Sequence, residues 1–194
     1  DLVEESETAG DEEKELAATW SDPASGPRVG DLLRGRFSYR LRRRLGQGGF
    51  GSVFLADCLD ASAARGTPPA QVAVKVLGTA SSAAARASLK RELAAMRAIQ
   101  APNIPRLHDW SLEGEHAFSV VDYYPAGSLA DAWPLIGRLD EEQTWRLISD
   151  LLSALTAAHR ASILHLDVKP SNVLLDGNGG YVLTDFGVSH SSRM

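Results

Sequence analysis

From residue 35 onward the chain breaks into short stretches of alternating apolar and polar positions, interrupted by two longer stretches with helical spacing. Phe37, Tyr39 and Leu41 alternate with polar residues, the period-two pattern of a half-buried strand. A glycine-rich turn follows, then an apolar run over residues 53–56. Residues 60–70, rich in alanine, serine and proline, predict a loop. Val72, Val74 and Val76 face one side of a further predicted strand, with Ala73 and Lys75 on the other. Residues 81–100 predict a helix whose stripe is Ala85, Leu89, Met96 and Ile99, with Glu92 inside the stripe; Pro102 and Pro105 close it. Residues 107–110 and 117–121 predict two more strands. Asp140 opens a second helix, with Gln143 three residues on as a capping box. Its stripe is Trp145, Ile148, Leu152, Leu155 and His159. A polar loop, a strand at 173–175, a turn at 176–180 and a strand at 181–184 complete the pattern. There is no internal repeat. Strands with one helix, then a helical segment and a hairpin, predict an α+β fold.

Composition changes the picture mainly at the N-terminus. Residues 1–34 are read as an acidic, disordered tail acting as a solvated linker: Glu4, Glu5, Glu7, Asp11, Glu12, Glu13 and Glu15 face a single Lys14, and Pro23 and Pro27 follow. The chain of 194 residues begins at Asp1, which is expected of a sequence whose true N-terminus lies upstream. A net charge of −5 argues against nucleic-acid binding, and the cluster of Arg40 with Arg42, Arg43 and Arg44 is read as the solvated start of a strand. A single cysteine, Cys58, rules out a disulfide framework and fits a reducing, cytoplasmic setting. No transmembrane run and no signal peptide appear.

Two features carry chemistry. The first is Leu45-Gly46-Gln47-Gly48-Gly49-Phe50-Gly51-Ser52-Val53, which contains G-x-G-x-x-G. Glycines let backbone N–H groups approach phosphate oxygens without a Cβ in the way. Alone the pattern is weak. It leads from strand to strand, which excludes a dinucleotide-binding turn, and it lacks the G-K-[ST] ending of a Walker loop. The second is the pair Lys75 and Glu92. A lysine among valines and a carboxylate in an apolar stripe are each costly alone, and each is the other's natural partner. A lysine snorkelling at a sheet edge, with a glutamate at the margin of the stripe, explains this pair equally well on its own.

The most specific segment is His165-Leu166-Asp167-Val168-Lys169-Pro170-Ser171-Asn172, followed thirteen residues after Asn172 by Asp185-Phe186-Gly187. It resembles the catalytic loop H-R-D-x-K-x-x-N and the D-F-G motif of protein kinases, and the glycine loop, Lys75 and Glu92 fall in that family's order. The resemblance covers residues 36–190. It implies a two-lobed fold: an N-lobe at 35–122 of antiparallel sheet and one helix, then a hinge and the first part of a mainly helical C-lobe at 123–194. It implies transfer of the ATP γ-phosphoryl group to protein hydroxyls, with Mg²⁺. By the resemblance Asp167 is the catalytic base and Lys169 steadies the transferring group. Asn172 and Asp185 are the magnesium ligands. The ATP-binding set is Leu45, Gly46, Gln47, Gly48, Gly49, Phe50, Gly51, Val53, Ala73, Lys75, Glu92, Val121, Asp122 and Tyr124. Within it Val53 and Ala73 sandwich the adenine, Val121 is the gatekeeper and residues 122–124 are the hinge. Lys169 with Pro170 and Ser171 resembles the Ser/Thr-specific enzymes, and His159 matches a structural helix-end histidine.

The sequence departs from the family at Leu166, where the arginine of H-R-D usually stands. Leucine cannot pair with an activation-loop phosphate. The Wee and Myt kinases have similar loops, but Gly35-Arg36-Phe37 and the alanine- and arginine-rich composition look more like bacterial Ser/Thr kinases. The family's activation segment, A-P-E motif and later helices would lie beyond Met194. Residues 1–194 alone are therefore expected to be weakly stable and inactive, with an exposed apolar patch on the 140–161 helix. A pseudokinase with a binding role, or a small-molecule phosphotransferase of the same fold, are the competing readings.

Overall fold

Three valines decide how the first sheet is layered. The computed structural model describes residues 26–48, 51–62, 64, 66–77, 83–99, 101–113, 116–186 and 190–191. Strands β1 (Leu32–Arg34), β2 (Ser38–Gly48), β3 (Gly51–Cys58), β4 (Gln71–Val76), β5 (Leu107–Ser111) and β6 (Phe118–Asp122) form one sheet in the order β1-β2-β3-β4-β6-β5, with every pair antiparallel. Val72, Val74 and Val76 are fully buried with Tyr39, Leu41, Phe54, Phe118 and Val120. Burying one such valine contributes about 2 kcal/mol. The opposite face of β4, carrying Ala73 and Lys75, is left for helix α1 (Ala83–Ala98) and the site. Ala85, Leu89 and Leu93 of α1 pack with Leu77 and Ala117.

The reading of residues 1–34 as tail runs too far. Leu32–Arg34 is an edge strand, and Leu33 sits in the sheet core at 5% exposure. Three residues are too few for periodicity to register. The rest of that segment up to residue 25 lies outside the described residues.

One buried carboxylate explains the Gly35-Arg36-Phe37 lead-in. Asp109 of β5 is 5% exposed, and its Oδ2 accepts the Tyr39 hydroxyl at 3.0 Å and the Phe37 N–H at 3.1 Å. Its Oδ1 accepts the Trp110 N–H at 2.8 Å. A Cβ on Gly35 would stand 2.6 Å from Asp109 Oδ2 and 3.1 Å from the Phe118 ring, so the glycine is a packing requirement. Burial first, then the Asp109 charge and hydrogen bond, hold the Tyr39 phenol well above the usual tyrosine range. A group raised in the folded state stabilises fully below its unfolded value and loses that contribution as pH rises through the folded one. Stability is therefore expected to fall between pH of about 9 and about 11, with a shallower fall in Tyr39→Phe. Urea unfolding across that range checks it; equal slopes would contradict it.

The second half is built on α2 (Leu129–Ile136), α3 (Glu141–Arg160), β7 (Ile163–Leu164), a 3₁₀ turn (Pro170–Asn172), the hairpin of β8 (Val173–Leu175) and β9 (Tyr181–Leu183), and β10 (His190–Ser191), which pairs with β7. The expected capping box of α3 is present: Asp140 Oδ1 accepts the Gln143 N–H at 2.8 Å and Gln143 Oε1 accepts the Asp140 N–H at 3.0 Å. The expected stripe splits. Leu155 packs with Leu147 and Leu151 against a core that includes Ala154, Ala158, Ile163, Leu183 and Phe186. Trp145, Ile148 and Leu152 are 64%, 43% and 59% exposed, the apolar patch anticipated on this helix. The α2 helix escapes the periodicity reading because Pro134 sits inside it. Its signal is the capping box of Ser128 and Asp131, joined at 3.0 and 3.2 Å. Asn103, in the turn between α1 and β5, donates to the Tyr181 carbonyl at 3.1 Å and accepts from the Leu183 N–H at 2.9 Å. Asp150 of α3 accepts the Tyr181 N–H at 2.9 Å. Among the described residues no helix is long and apolar enough to cross a membrane.

Candidate active site

The glycine segment is the mouth of the β2–β3 hairpin, with Gly46 opposite Val53, Gln47 opposite Ser52 and Gly48 opposite Gly51. Two of its glycines have different physical reasons. Gly51 adopts φ +139°, and a Cβ there would run into the Val76 carbonyl oxygen, so the fold itself requires it. Around Gly46 nothing lies within 4 Å of a Cβ position, so the protein's own packing does not require glycine. Gly49 and Phe50 lie outside the described residues. Gln47 accepts a hydrogen bond from Arg44 at 3.1 Å, and Leu45 is 36% exposed.

Across the sheet from Val53 stands Lys75. Its Nζ is 2.7 Å from Glu92 Oε2 and 3.1 Å from Asp185 Oδ1. The pairing expected between Lys75 and Glu92 is therefore formed, and Asp185 joins it. Glu92 is 6% exposed, and burial pushes its carboxyl up against the pull of the Lys75 ammonium. Burial alone would lower Lys75, but the Glu92 and Asp185 carboxylates outweigh it and hold the amine above the ordinary lysine range.

The polar loop after β7 is organised by a buried imidazole. His165 is 2% exposed; its Nδ1 accepts the Asp167 N–H at 3.2 Å, which leaves Nε2 to donate to the Thr184 carbonyl at 2.9 Å. Its ring meets the Phe186 ring edge-on at 4.7 Å. The loop and the segment that follows β9 and bears Asp185 are thus held by one side chain. Asn172, at the end of the 3₁₀ turn, donates from Nδ2 to the Asp167 carbonyl at 2.8 Å and to Asp167 Oδ2 at 3.0 Å. Its own carbonyl accepts the Thr184 N–H at 2.9 Å, which sets Asp185 one residue further on. Lys169 Nζ reaches Asp167 Oδ2 at 2.7 Å. That hydrogen bond, with the one from Asn172, holds the Asp167 carboxyl below the usual carboxylate range. With Nδ2 committed to Asp167, the Asn172 amide oxygen is the atom that could serve a metal. Asp185 (φ +66°) and Leu166 (φ +64°) both adopt left-handed backbone, which costs a leucine about 1–2 kcal/mol. The Leu166 side chain is 60% exposed.

The residues expected to form the hinge follow from the end of β6 at Asp122. Val121 pairs with Ala73 across the sheet. The Asp122 carboxylate turns back to β5, accepting the Arg106 N–H at 2.9 Å and meeting His108 Nε2 at 2.7 Å. Burial acts to raise its carboxyl, but the hydrogen bonds from His108 and Arg106 outweigh that and hold it below the usual carboxylate range. Burial pushes the Tyr124 phenol up to about 12. The Lys75–Asp185 contact, the Asp122 pairing and the hydrogen bond from Arg43 to the Tyr123 hydroxyl at 3.3 Å have no counterpart among the sequence expectations. Nothing in the spacing of these residues signals such contacts.

The chain is similar to CBL-interacting protein kinase 21 of Oryza sativa subsp. japonica, 35% identical over 167 residues, covering 85% of this chain and 30% of that protein. It is also similar to CBL-interacting protein kinase 19 of the same organism, 36% identical over 177 residues, covering 89% and 32%. CBL-interacting serine/threonine-protein kinase 24 of Arabidopsis thaliana is 30% identical over 153 residues, covering 78% and 33%. The chain spans about a third of the length of these relatives. All three are plant proteins, and the leaning toward bacterial kinases finds no support in them. The family model described as "Protein kinase domain" matches residues 39–193. A match that begins in β2 and runs past Asp185 covers most of the sequence and most of the elements just described, and the chain belongs to the protein kinase domain family.

Proposed function

We propose that the polypeptide carrying this chain transfers the γ-phosphoryl group of ATP to Ser and Thr hydroxyls of proteins, with Mg²⁺ as its metal. The observation that carries the reading is the contact of Lys75 Nζ with both Glu92 and Asp185, at 2.7 and 3.1 Å. It joins the sheet that presents the glycine hairpin to the loop that presents the acid and amide ligands. The protein kinase family uses ATP and a divalent metal, and the residues present fit both. Open space over Gly46 suits the close approach of a phosphate. Among the described residues no cluster of three or more His, Cys, Asp or Glu could hold a metal alone. Two protein oxygens, from Asn172 and Asp185, suit Mg²⁺, which takes its remaining ligands from phosphate and water.

In this reading Lys75, held by Glu92, anchors the α- and β-phosphates. Leu45, Gly46 and the rest of the hairpin through Gly51 cover them. Val53 and Ala73 enclose the adenine, with Val121 at the back and the 122–124 backbone along the base edge. Bound Mg²⁺ supplies charge neutralisation at the phosphate oxygens. Asp167, kept ionised by Lys169 and Asn172, orients the acceptor hydroxyl and takes its proton as that oxygen bonds the γ-phosphorus and the bond from the γ-phosphorus to the bridging oxygen breaks, releasing ADP. Lys169 then stands beside the transferring group. The lone cysteine, Cys58, is buried, which accords with a reducing cytoplasm.

The test is calorimetric titration with ATP and Mg²⁺, together with transfer of labelled phosphate to a protein mixture. Asp185→Asn is expected to weaken Mg²⁺-dependent ATP binding by about tenfold or more while the chain stays folded. Label confined to small molecules, or to tyrosine, would overturn the assignment. Binding without transfer in the complete polypeptide would favour a pseudokinase. Leu166 adds a further expectation. With no guanidinium in the loop to meet a phosphate, treatment of the complete polypeptide with a protein phosphatase leaves the transfer rate unchanged. Complete loss that returns on autophosphorylation would refute this.

A further inference from the structure

Six arginines lie between residues 34 and 44, and no acidic residue lies among them. All six side chains are exposed. Their internal partners are few. Arg42 pairs with Asp57 at 2.5 Å, Arg43 meets the Tyr123 hydroxyl, Arg44 meets Gln47, and Arg36 lies over the Phe37 ring. Among the described residues the Arg34 and Arg40 side chains have no hydrogen bond or ion pair. Arg40 sits midway across the strands, opposite Leu32 of β1 and Asp57 of β3. The exposed margin formed by β1 and β2 carries more positive than negative charge.

The balancing charge is in the same chain. Residues 1–15 hold eight acidic side chains and one lysine, seven negative charges net. That exceeds the net charge of −5 for the whole chain, so residues 16–194 together carry an excess of two positive charges. The polypeptide enters the sheet at this same place. Gly30 N–H bonds the Leu41 carbonyl at 2.7 Å, and Leu41 N–H bonds the Asp31 carbonyl at 2.9 Å. β1 is an edge strand, so nothing in the sheet separates the incoming chain from the arginines. Sixteen residues lie between Glu15 and Leu32, and a flexible tether of that length reaches roughly 20–25 Å. That is shorter than β2 itself, about 36 Å for its 11 residues. Tethering at this range gives a millimolar effective concentration. Charges on an edge strand also deter pairing with another sheet, but one or two suffice for that. That role does not account for the opposite run placed upstream.

We propose that residues 1–15 dock in cis on the exposed arginines of β1 and β2, as an acidic segment held by a multi-site electrostatic contact. Isolated surface ion pairs contribute little, so the contact depends on many charges together and is lost at high salt.

A nitroxide on Thr8→Cys, in a Cys58→Ala background of the whole chain, reports the contact through broadening of backbone amide signals. At about 0.01 M salt the amides of residues 32–44 are expected to lose about half of their intensity or more, and to recover it at about 1 M, where screening reaches about 3 Å. Arg34→Gln/Arg40→Gln is expected to reduce the effect. So is neutralising the acidic residues of 1–15 to Gln and Asn, a change that alters no arginine of β1 or β2. Broadening that is uniform over the domain, or insensitive to salt, would overturn the proposal. So would broadening seen only when the label and the observed amides are on separate molecules, which would mean contact between copies.

Discussion

Replacing Asp167 by asparagine in the complete polypeptide is expected to lower kcat by about a hundred- to ten-thousandfold. The affinity for ATP should move little, because Lys75, Asn172 and Asp185 are untouched. The geometry gives the reason. Lys169 at 2.7 Å and Asn172 at 3.0 Å keep the Asp167 carboxylate ionised and aimed. An amide of the same shape retains the aim and loses the basicity. The fold should tolerate the change, since the lost Lys169 pair is exposed and such surface pairs contribute little to stability. Single-turnover transfer at saturating ATP, with a separate ATP titration, checks the prediction. An unchanged rate would remove Asp167 from the chemistry; a parallel loss of ATP affinity would move it to nucleotide binding.

The second large effect is on stability. Lys75→Met is expected to cost about 3 kcal/mol at neutral pH, because it strands the Glu92 carboxylate at 6% exposure. Burial already raises the Glu92 carboxyl, and removing the ammonium removes the opposing pull. A carboxyl raised in the folded state favours folding below its unfolded value, and that advantage is lost as pH rises through the folded one. The deficit of the variant should therefore shrink at pH of about 5 and widen toward 7. Lys75→Met/Glu92→Leu should recover most of the loss, since an apolar pair of similar volume replaces buried charge well. ATP binding should not return with it. Urea unfolding of the three chains at both pH values separates the structural share of the pair from its functional share. A deficit independent of pH would show that Glu92 is not the stranded group.

Much of the fold and the candidate site could be read before any coordinates, for identifiable reasons. Lys75 and Glu92 were legible because each charge is improbable where it stands, and only a partner makes it tolerable. Asp140 and Gln143 were legible because a capping box is a local device, complete within four residues. The stripe on α3 was misleading because large apolar side chains mark adhesive faces and say nothing of which one is covered. Ala154 and Ala158 are the contacts at 0% exposure, since small side chains let α3 approach closely. β1 was missed because a three-residue strand has no period to detect. The Asp109 network was out of reach for a different reason. Phe37 and Tyr39 lie 72 and 70 residues from the carboxylate they share, and no spacing rule connects them. The same holds for Lys75 and Asp185, 110 residues apart.

Asn103 has a consequence for how the molecule can move. The segment at 122–124 is one covalent link between the sheet and the part that follows it. The two hydrogen bonds of Asn103 to Tyr181 and Leu183, at 3.1 and 2.9 Å, are a second link between the same bodies. Further ties run beside these two: Lys75 reaches Asp185, and Ala95, Ile99 and Ile104 share one core with Leu129, Ala154 and Phe186. Prising α1 away from the part that carries Asp185 would therefore wet apolar surface as well as break hydrogen bonds, so the helix end is glued as well as pinned.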